Sequence, residues 1–237
     1  MDRYFGSIKD GFAILDDGNS HHLFDVKRAN IGEKVEIVDN GVVALCEITC
    51  LLPETLKVLS CSKTEKKPSK LILAFSLLKG DHTDLVLEKG TELGVNEFVP
   101  FLSSRTIVRL DEKEKEKKLT RYRKICENAS LQCKRGDVPT IKKIYSFEET
   151  LLVPSDKKIF AYEGMAGSNE TLAVAFKDLV PGDSVLSLIG PEGGFSDEEA
   201  TKAKACGFNF VSLGSSILRA ETASLYVCST FSYESEK

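Results

Sequence analysis

The chain has no tryptophan, two methionines and three histidines. Histidine this scarce leaves little from which to build a zinc site. The seven cysteines add nothing, because Cys46, Cys50, Cys61, Cys126, Cys133, Cys206 and Cys228 contain no CxxC pair. An odd, scattered set predicts reduced thiols serving as small core residues, and no metal. No apolar run approaches the roughly 20 residues that a membrane helix needs, so no membrane partner is expected. The opening MDRYFGSIKDGF carries acids where a secretory leader needs a basic and then an apolar stretch. A cytoplasmic protein is the expectation. Excess charge of one sign is missing too: 32 Lys and Arg against 36 Asp and Glu leave a net of -4. That balance argues against an indiscriminate nucleic-acid coat, while leaving room for local basic patches.

What the chain does have is a change of pattern near residue 65. A length of 237 residues holds one large domain, or a medium and a small one. Residues 1–65 carry short runs rich in Val, Ile, Leu and Thr: Phe12–Leu15, Lys34–Val38, Val42–Ile48 and Thr55–Leu59. Turns at Asp16-Asp17-Gly18-Asn19 and Asp39-Asn40-Gly41 separate them, and Asn-Gly tolerates the positive φ of a hairpin turn. A small all-β barrel is predicted. The polar, basic stretch Cys61–Lys70 contains a proline and reads as a linker.

From 71 to 237 the pattern alternates. Strands are expected at Leu71–Leu78, Phe98–Leu102, Lys158–Tyr162, Ser184–Ile189 and Phe208–Leu213. Helices are expected at Asp84–Leu93, Asp111–Lys124, Asn169–Lys177, Asp197–Cys206 and Glu221–Phe231. Such alternation means an α/β domain with a mostly parallel sheet. The charged helix DEKEKEKKLTRYRK reads as a solvated face before it reads as a binding surface.

The sharpest local feature is Ser184–Ile189, followed by the loop Gly190-Pro191-Glu192-Gly193-Gly194-Phe195 and then Ser196-Asp-Glu-Glu199. The last four form a capping box: the serine takes the N3 amide while Glu199 reaches back. The next strand is expected to lie beside this one as a compact βαβ unit. A glycine-rich loop at the carboxyl end of a parallel strand is where open α/β sheets bind ligands. It is not GxGxxG, however, and lacks the Lys-Ser/Thr of a phosphate loop, so a plain turn and a cofactor loop fit equally well. The segment Leu213-Gly-Ser-Ser-Ile-Leu-Arg-Ala-Glu-Thr-Ala223 tips the balance. It leaves its strand through Gly214 and sets Arg219 and Thr222 at the start of a helix, so two loops from neighbouring strand ends converge on a pocket.

These two segments together resemble the signature of the ribosomal RNA small subunit methyltransferase E family, within the SPOUT superfamily. Other motifs follow in the family's order. They are Arg3-Tyr4-Phe5; His21-His22 with Val26, Arg28 and Gly32-Glu33; Lys79-Gly80; Glu88-Lys89 with Thr91-Glu92-Leu93-Gly94-Val95; Ser104-Arg105; and Gln132-Cys133-x-Arg135 with Pro139. The resemblance spans the whole chain. Asp2, Gly90, Leu131 and Ala220 depart from the family's usual residues, and Gly90 costs about 1 kcal/mol of helix propensity.

The resemblance implies a PUA-like β-barrel at 1–65 that binds RNA, and a SPOUT α/β domain at 71–237 with a trefoil knot over about 184–232. It implies S-adenosylmethionine as cofactor, a homodimer, and methylation of N3 of one uridine near the 3′ end of 16S RNA in the small ribosomal subunit. Cofactor contacts are expected from Leu188, Gly190, Pro191, Glu192, Gly193, Gly194, Leu213, Gly214, Ile217, Leu218 and Thr222. As pure core residues, Leu188, Leu213, Ile217 and Leu218 would look the same. RNA contacts are expected from Arg3, Lys27, Arg28, Lys79, Arg105, Gln132 and Arg135, although a single surface Lys or Arg is usually just solvated. His21 and His22 are expected to satisfy hydrogen bonds of the barrel.

Methyl transfer to N3 needs its proton gone and the anion stabilised. An arginine suits the second task, being always charged and presenting forked donors. Arg219 is the residue expected there; its bland alternative is a structural pair with Glu221 or Glu192. No general base stands out, and water or a carboxylate would serve. Two rivals share these residues: a SPOUT methyltransferase acting on another RNA, and a non-catalytic RNA-binding or ribosome-assembly factor with this fold.

Overall fold

The computed structural model describes residues 1–63 and 69–235. The chain divides into two compact units, Met1–Lys66 with Ser130–Val138, and Lys67–Ala129 with Pro139–Lys237. Of the stretch expected as a linker, Cys61–Lys63 finish a strand and Lys70 begins one, while 64–68 lie outside the described residues.

The first unit is a closed barrel of β1 (Arg3–Lys9), β2 (Phe12–Leu15), β3 (Lys34–Asp39), β4 (Val42–Leu51) and β5 (Glu54–Lys63), ordered β1-β2-β5-β4-β3. The predicted hairpin joins β3 to β4, with Asn40 and Gly41 at φ 46° and 82°. Alternate residues Val35, Ile37, Ala44, Cys46, Ile48 and Leu56 point inward and are buried, which is why the strands read with period two. The segment expected to be a turn at Asp16–Asn19 is instead helical. Asp16 accepts the Asn19 amide at 2.8 Å and caps α1 (Asp17–His21), which runs on as a π turn over His22–Val26. That segment carries Leu23 into the core as a plug. Ser130–Val138 groups with the barrel, and the Arg3 guanidinium donates to the Lys134 carbonyl.

The second unit is built from β6 (Lys70–Ser76), α2 (His82–Glu92), β7 (Glu97–Leu102), α3 (Glu112–Gln132, as far as Ala129), β8 (Thr140–Ile141), β9 (Tyr145–Ser146), α4 (Phe147–Leu151), β10 (Lys157–Ala161), α5 (Leu172–Phe176), β11 (Ser184–Ile189), α6 (Asp197–Ala205), β12 (Asn209–Val211) and α7 (Ala220–Ser235). The sheet is ordered β12-β10-β11-β6-β7-β8, with β9 also on β7, and every pairing is parallel. One face packs Leu71, Leu73, Phe75, Val185 and Ile189 with α2 and α7 residues such as Val86, Leu87, Val227 and Phe231. The other packs Ala74, Leu186, Leu188 and Phe160 with Phe147 of α4 and Ala203 of α6. Burial on both faces explains the unbroken apolar runs of β6 and β11.

Sequence spacing put β11 and β12 side by side. They are not adjacent: Ile159 of β10 pairs with Ser187 on one side and Asn209 on the other. Chain order hides this, because β10 precedes both strands and is inserted between them.

Gly90, poor in helix propensity, has a packing reason. A Cβ there would lie 2.9 Å from the ring of the buried Phe98. Gly90→Ala gains about 1 kcal/mol of propensity but forces an overpacked contact that costs about 1–3 kcal/mol. The variant is therefore expected to unfold at lower urea than the parent chain. A raised midpoint in an equilibrium titration would mean that Phe98 yields.

Candidate active site

Three parallel strands end at one cavity of about 440 Å³. From β11 come Ile189, Gly190, Pro191, Glu192, Gly194 and Phe195; from the end of β10 come Ala161, Tyr162 and Glu163, with Ala166 beyond them. The segment after β12 supplies Leu213, Gly214, Ser216, Ile217 and Leu218, followed by Arg219, Ala220, Glu221 and Ala223 at the start of α7. His82, the first residue of α2, completes the wall.

Packing sets the shape of the β11 loop. The Phe195 ring sits 4.2 Å from that of Phe160 and stacks parallel to Phe101 at 6.4 Å, so the loop's far end is pinned in the core. A Cβ at Gly190 would press on that ring at 3.0 Å. Gly194 turns with φ 66°, and a Cβ there would stand 2.5 Å from a Glu163 carboxylate oxygen. A loop of bare backbone beside a carboxylate is the result. The loop is also braced from the segment after β7: Arg105 donates to the Gly193 carbonyl at 2.9 Å, and Glu199 accepts the amides of Ser104 and Ser196, each at 2.8 Å. The predicted capping box of α6 is present, with the Glu199 amide on Ser196 Oγ at 3.2 Å.

The second loop is tied from the β10 side. The Gly167 amide donates to the Gly214 carbonyl at 3.1 Å, and the Tyr162 amide to the Val211 carbonyl at 3.3 Å. Charge on the cavity wall is mixed. The Lys79 amide holds Glu192 at 3.0 Å, and His82 Nδ1 lies 3.4 Å from Glu221 Oε1. Arg219 is exposed, and among the described residues its guanidinium has no partner; neither Glu221 nor Glu192 takes it. Three carboxylates, one free guanidinium and an imidazole suit a ligand that carries both signs of charge.

Nine of the residues expected at the site from sequence line the cavity: Gly190, Pro191, Glu192, Gly194, Leu213, Gly214, Ile217, Leu218 and Arg219. Leu188, Gly193 and Thr222 do not. Leu188 is buried in the α4–α6 face, Gly193 turns its carbonyl to Arg105, and Thr222 lies on the exposed side of α7. Tyr162 and Glu163 were missed because only the sheet order brings β10 between the two loops.

The basic residues expected to meet RNA divide between the units. Arg3 is paired with Glu36 at 2.9 Å, Lys27 with Asp2 at 2.7 Å and Arg135 with Asp137 at 3.1 Å. Arg28, at φ 54°, and Gln132 are exposed on the first unit. In the second unit Lys79 is exposed, and Arg105 braces the glycine loop. Of the barrel histidines, His22 meets the Tyr4 hydroxyl at 3.2 Å and His21 meets Asp25 at 2.6 Å. Burial pushes the Cys228 thiol up to about 12, which makes it an inert core group. Among the described residues no helix is long and apolar enough to cross a membrane.

A family model described as an RNA methyltransferase domain matches residues 65–232, and an RNA methyltransferase PUA domain matches 15–51. The ribosomal RNA small subunit methyltransferase E of Bacillus subtilis is 34% identical over 224 residues, covering 91% of this chain and 88% of its own. The chain belongs to the ribosomal RNA small subunit methyltransferase E family. Its Mesomycoplasma hyopneumoniae member is 31% identical over 96% of this chain and 97% of its own. A crystal structure of the Neisseria gonorrhoeae member bound to S-adenosyl methionine is 27% identical, covers 98% of this chain and 97% of its own, and superposes with a TM-score of 0.84. The family fold, a PUA-like barrel followed by a parallel α/β domain, is thus the fold described above.

The brace at Glu199 can be tested. Glu199→Ala strands the amides of Ser104 and Ser196 in a site where the side chain is buried, at about 1–3 kcal/mol for each unmet group. A fall in Tm of several degrees is expected in a thermal melt. A shift under one degree would mean that water replaces the carboxylate.

Proposed function

We propose that this chain methylates N3 of a uridine near the 3′ end of 16S ribosomal RNA, using S-adenosylmethionine. The observation that carries the proposal is the cavity at the β10, β11 and β12 ends, where two glycine loops face an unpaired Arg219. Family membership and the S-adenosyl methionine held by the Neisseria gonorrhoeae relative support it.

The residues present suit that cofactor. Gly190 and Gly194 let the loop backbone pack against Phe195 and Glu163, and Gly214 has open space where a Cβ would stand, so main-chain groups of the two loops can hold the ligand. Leu213, Ile217 and Leu218 offer an apolar wall, with Pro191, Glu192 and Gly214 along the rim. When bound, S-adenosylmethionine supplies an electrophilic methyl on a sulfonium sulfur. The chain must orient the uracil and stabilise N3 as it loses its proton. Arg219 does the latter, and its lack of a protein partner keeps its donors available.

In this reading residues 1–65 are an RNA-binding domain, 71–237 the catalytic domain, and about 184–232 the knotted segment. Arg28, Lys79 and Gln132 are free to meet RNA, whereas Arg3, Lys27 and Arg135 must exchange existing partners. The enzyme works as a homodimer: Tyr226 and Tyr233, seven residues apart on α7, are 47% and 66% exposed, an apolar stripe for a second copy to cover. The cytoplasm is its compartment.

Small subunits from a strain lacking the family's enzyme, incubated with the protein and methyl-labelled cofactor, are expected to gain label at one uridine N3. Label at another atom or RNA would reassign the substrate. Calorimetry without cofactor binding would return the chain to a non-catalytic RNA-binding role. Arg219→Ala is expected to keep cofactor affinity while losing about 10²–10³ in kcat, as loss of one oxyanion-type donor does; unchanged turnover would remove that role. Tyr226→Lys is expected to shift the mass seen by light scattering from dimer to monomer. A wild-type monomer would refute the dimer.

A further inference from the structure

Methylation at N3 requires an acceptor for the N3 proton, and the sequence alone singles out no residue for it. The structure does. His82 is the one imidazole of the second unit and lies on the cavity wall, with Nδ1 3.4 Å from Glu221 Oε1. Glu221 is 9% exposed and stands two residues after Arg219, at the start of α7. No other ionic partner of either side chain occurs among the described residues. The geometry points to a base and its orienting carboxylate: we propose that His82, held by Glu221, takes the proton from uridine N3. The inference rests on the methyltransferase reading given above.

At 3.4 Å the pair is within ion-pair reach, and a small turn of the imidazole would close it into the hydrogen bond that an oriented base uses. A neutral imidazole carries its proton on one nitrogen only, and a carboxylate beside Nδ1 draws the proton there. Nε2 is then left as the basic nitrogen. Glu221, nearly buried and fixed in the first turn of a 16-residue helix, is a rigid orienter. His82 opens α2, so its ring is carried by a helix packed on α7 and not by a mobile loop. Asp81 and Asp84 of the α2 end face Arg121 of α3, at 3.9 Å for Asp81 and in a direct ion pair for Asp84. The Lys79 amide engages Glu192, and Arg219 and Glu163 lie on the same cavity wall.

The step balances. N3–H gives its proton to His82 Nε2, and the freed N3 pair forms the N–CH3 bond. The methyl–sulfur bond breaks with its electron pair left on sulfur, yielding neutral S-adenosylhomocysteine. The imidazolium then returns its proton to solvent. Arg219 holds the uracil charge during transfer, so the two residues divide the work: one removes the proton and the other stabilises the anion.

The experiment compares wild type, His82→Gln, His82→Ala and Glu221→Gln in single-turnover methylation of small subunits from pH 5.5 to 9. Wild type is expected to lose activity toward the acidic end of that range, because a base must be unprotonated to act. His82→Gln is expected to fall about 10²-fold at neutral pH, the usual scale of a positioned base. Its rate should climb as rising pH ionises the uracil directly, and added imidazole should restore part of the His82→Ala rate. Cofactor affinity by calorimetry should stay within a few-fold of wild type. A readout independent of turnover is the long-range 1H–15N spectrum of His82 in the free protein. It should show the Nδ1–H tautomer in wild type and a mixture in Glu221→Gln. Wild-type kcat with an intact acidic limb in His82→Gln would overturn the proposal, as would an Nε2–H tautomer in the wild-type spectrum. A wild type that methylates nothing would instead sink the methyltransferase reading itself, so the two failures are distinguishable.

Discussion

The parallel sheet of the second unit must be covered on both faces, and the chemistry of the protein follows from that demand. Strands β6 and β11 carry apolar side chains on both sides because α2 and α7 cover one face and α4 and α6 the other. Polar groups are thereby expelled to the strand ends. At the carboxyl edge of β10, β11 and β12 the backbone leaves the sheet in three loops. Their unspent amides, carbonyls and charged side chains line the cavity.

Aromatic packing converts that edge from mobile loop to fixed wall. Phe195 lies against Phe160 and parallel to Phe101, so the glycine loop is anchored at its far end by buried surface. Glu199 and Arg105 add directed hydrogen bonds that fix the loop's height above the sheet. Glycine at 190 and 194 is then a consequence of crowding: a Cβ would strike Phe195 at one position and Glu163 at the other. Arg219 takes neither Glu221 nor Glu192: Glu221 lies beside His82, and Glu192 accepts the Lys79 amide.

Much of this was legible in residue order. The capping box Ser196–Glu199, the hairpin at Asn40-Gly41 and the strand Ser184–Ile189 are local matters, fixed by side chains within a few residues, and each stands where its pattern put it. The two loops that meet at the cavity carry motifs specific enough to recognise. The helical turn after Asp16 was not legible, since Asp-Asp-Gly-Asn serves a turn and a helix cap equally well; the burial of Leu23 decides between them. Nor was the partner of Arg105 legible: its guanidinium donates to the Gly193 carbonyl, 88 positions away.

The residues by themselves determined the barrel, the α/β alternation, the family, and two of the three loops that form the site. Tertiary structure alone decided the third loop, the partners of each charge and the placement of His82 beside Glu221. These depend on β10 entering the sheet between β11 and β12, and on α2 packing against α7. Contacts of that kind join residues 28 positions apart at Ile159 and Ser187 and 139 apart at His82 and Glu221, and no local periodicity records them.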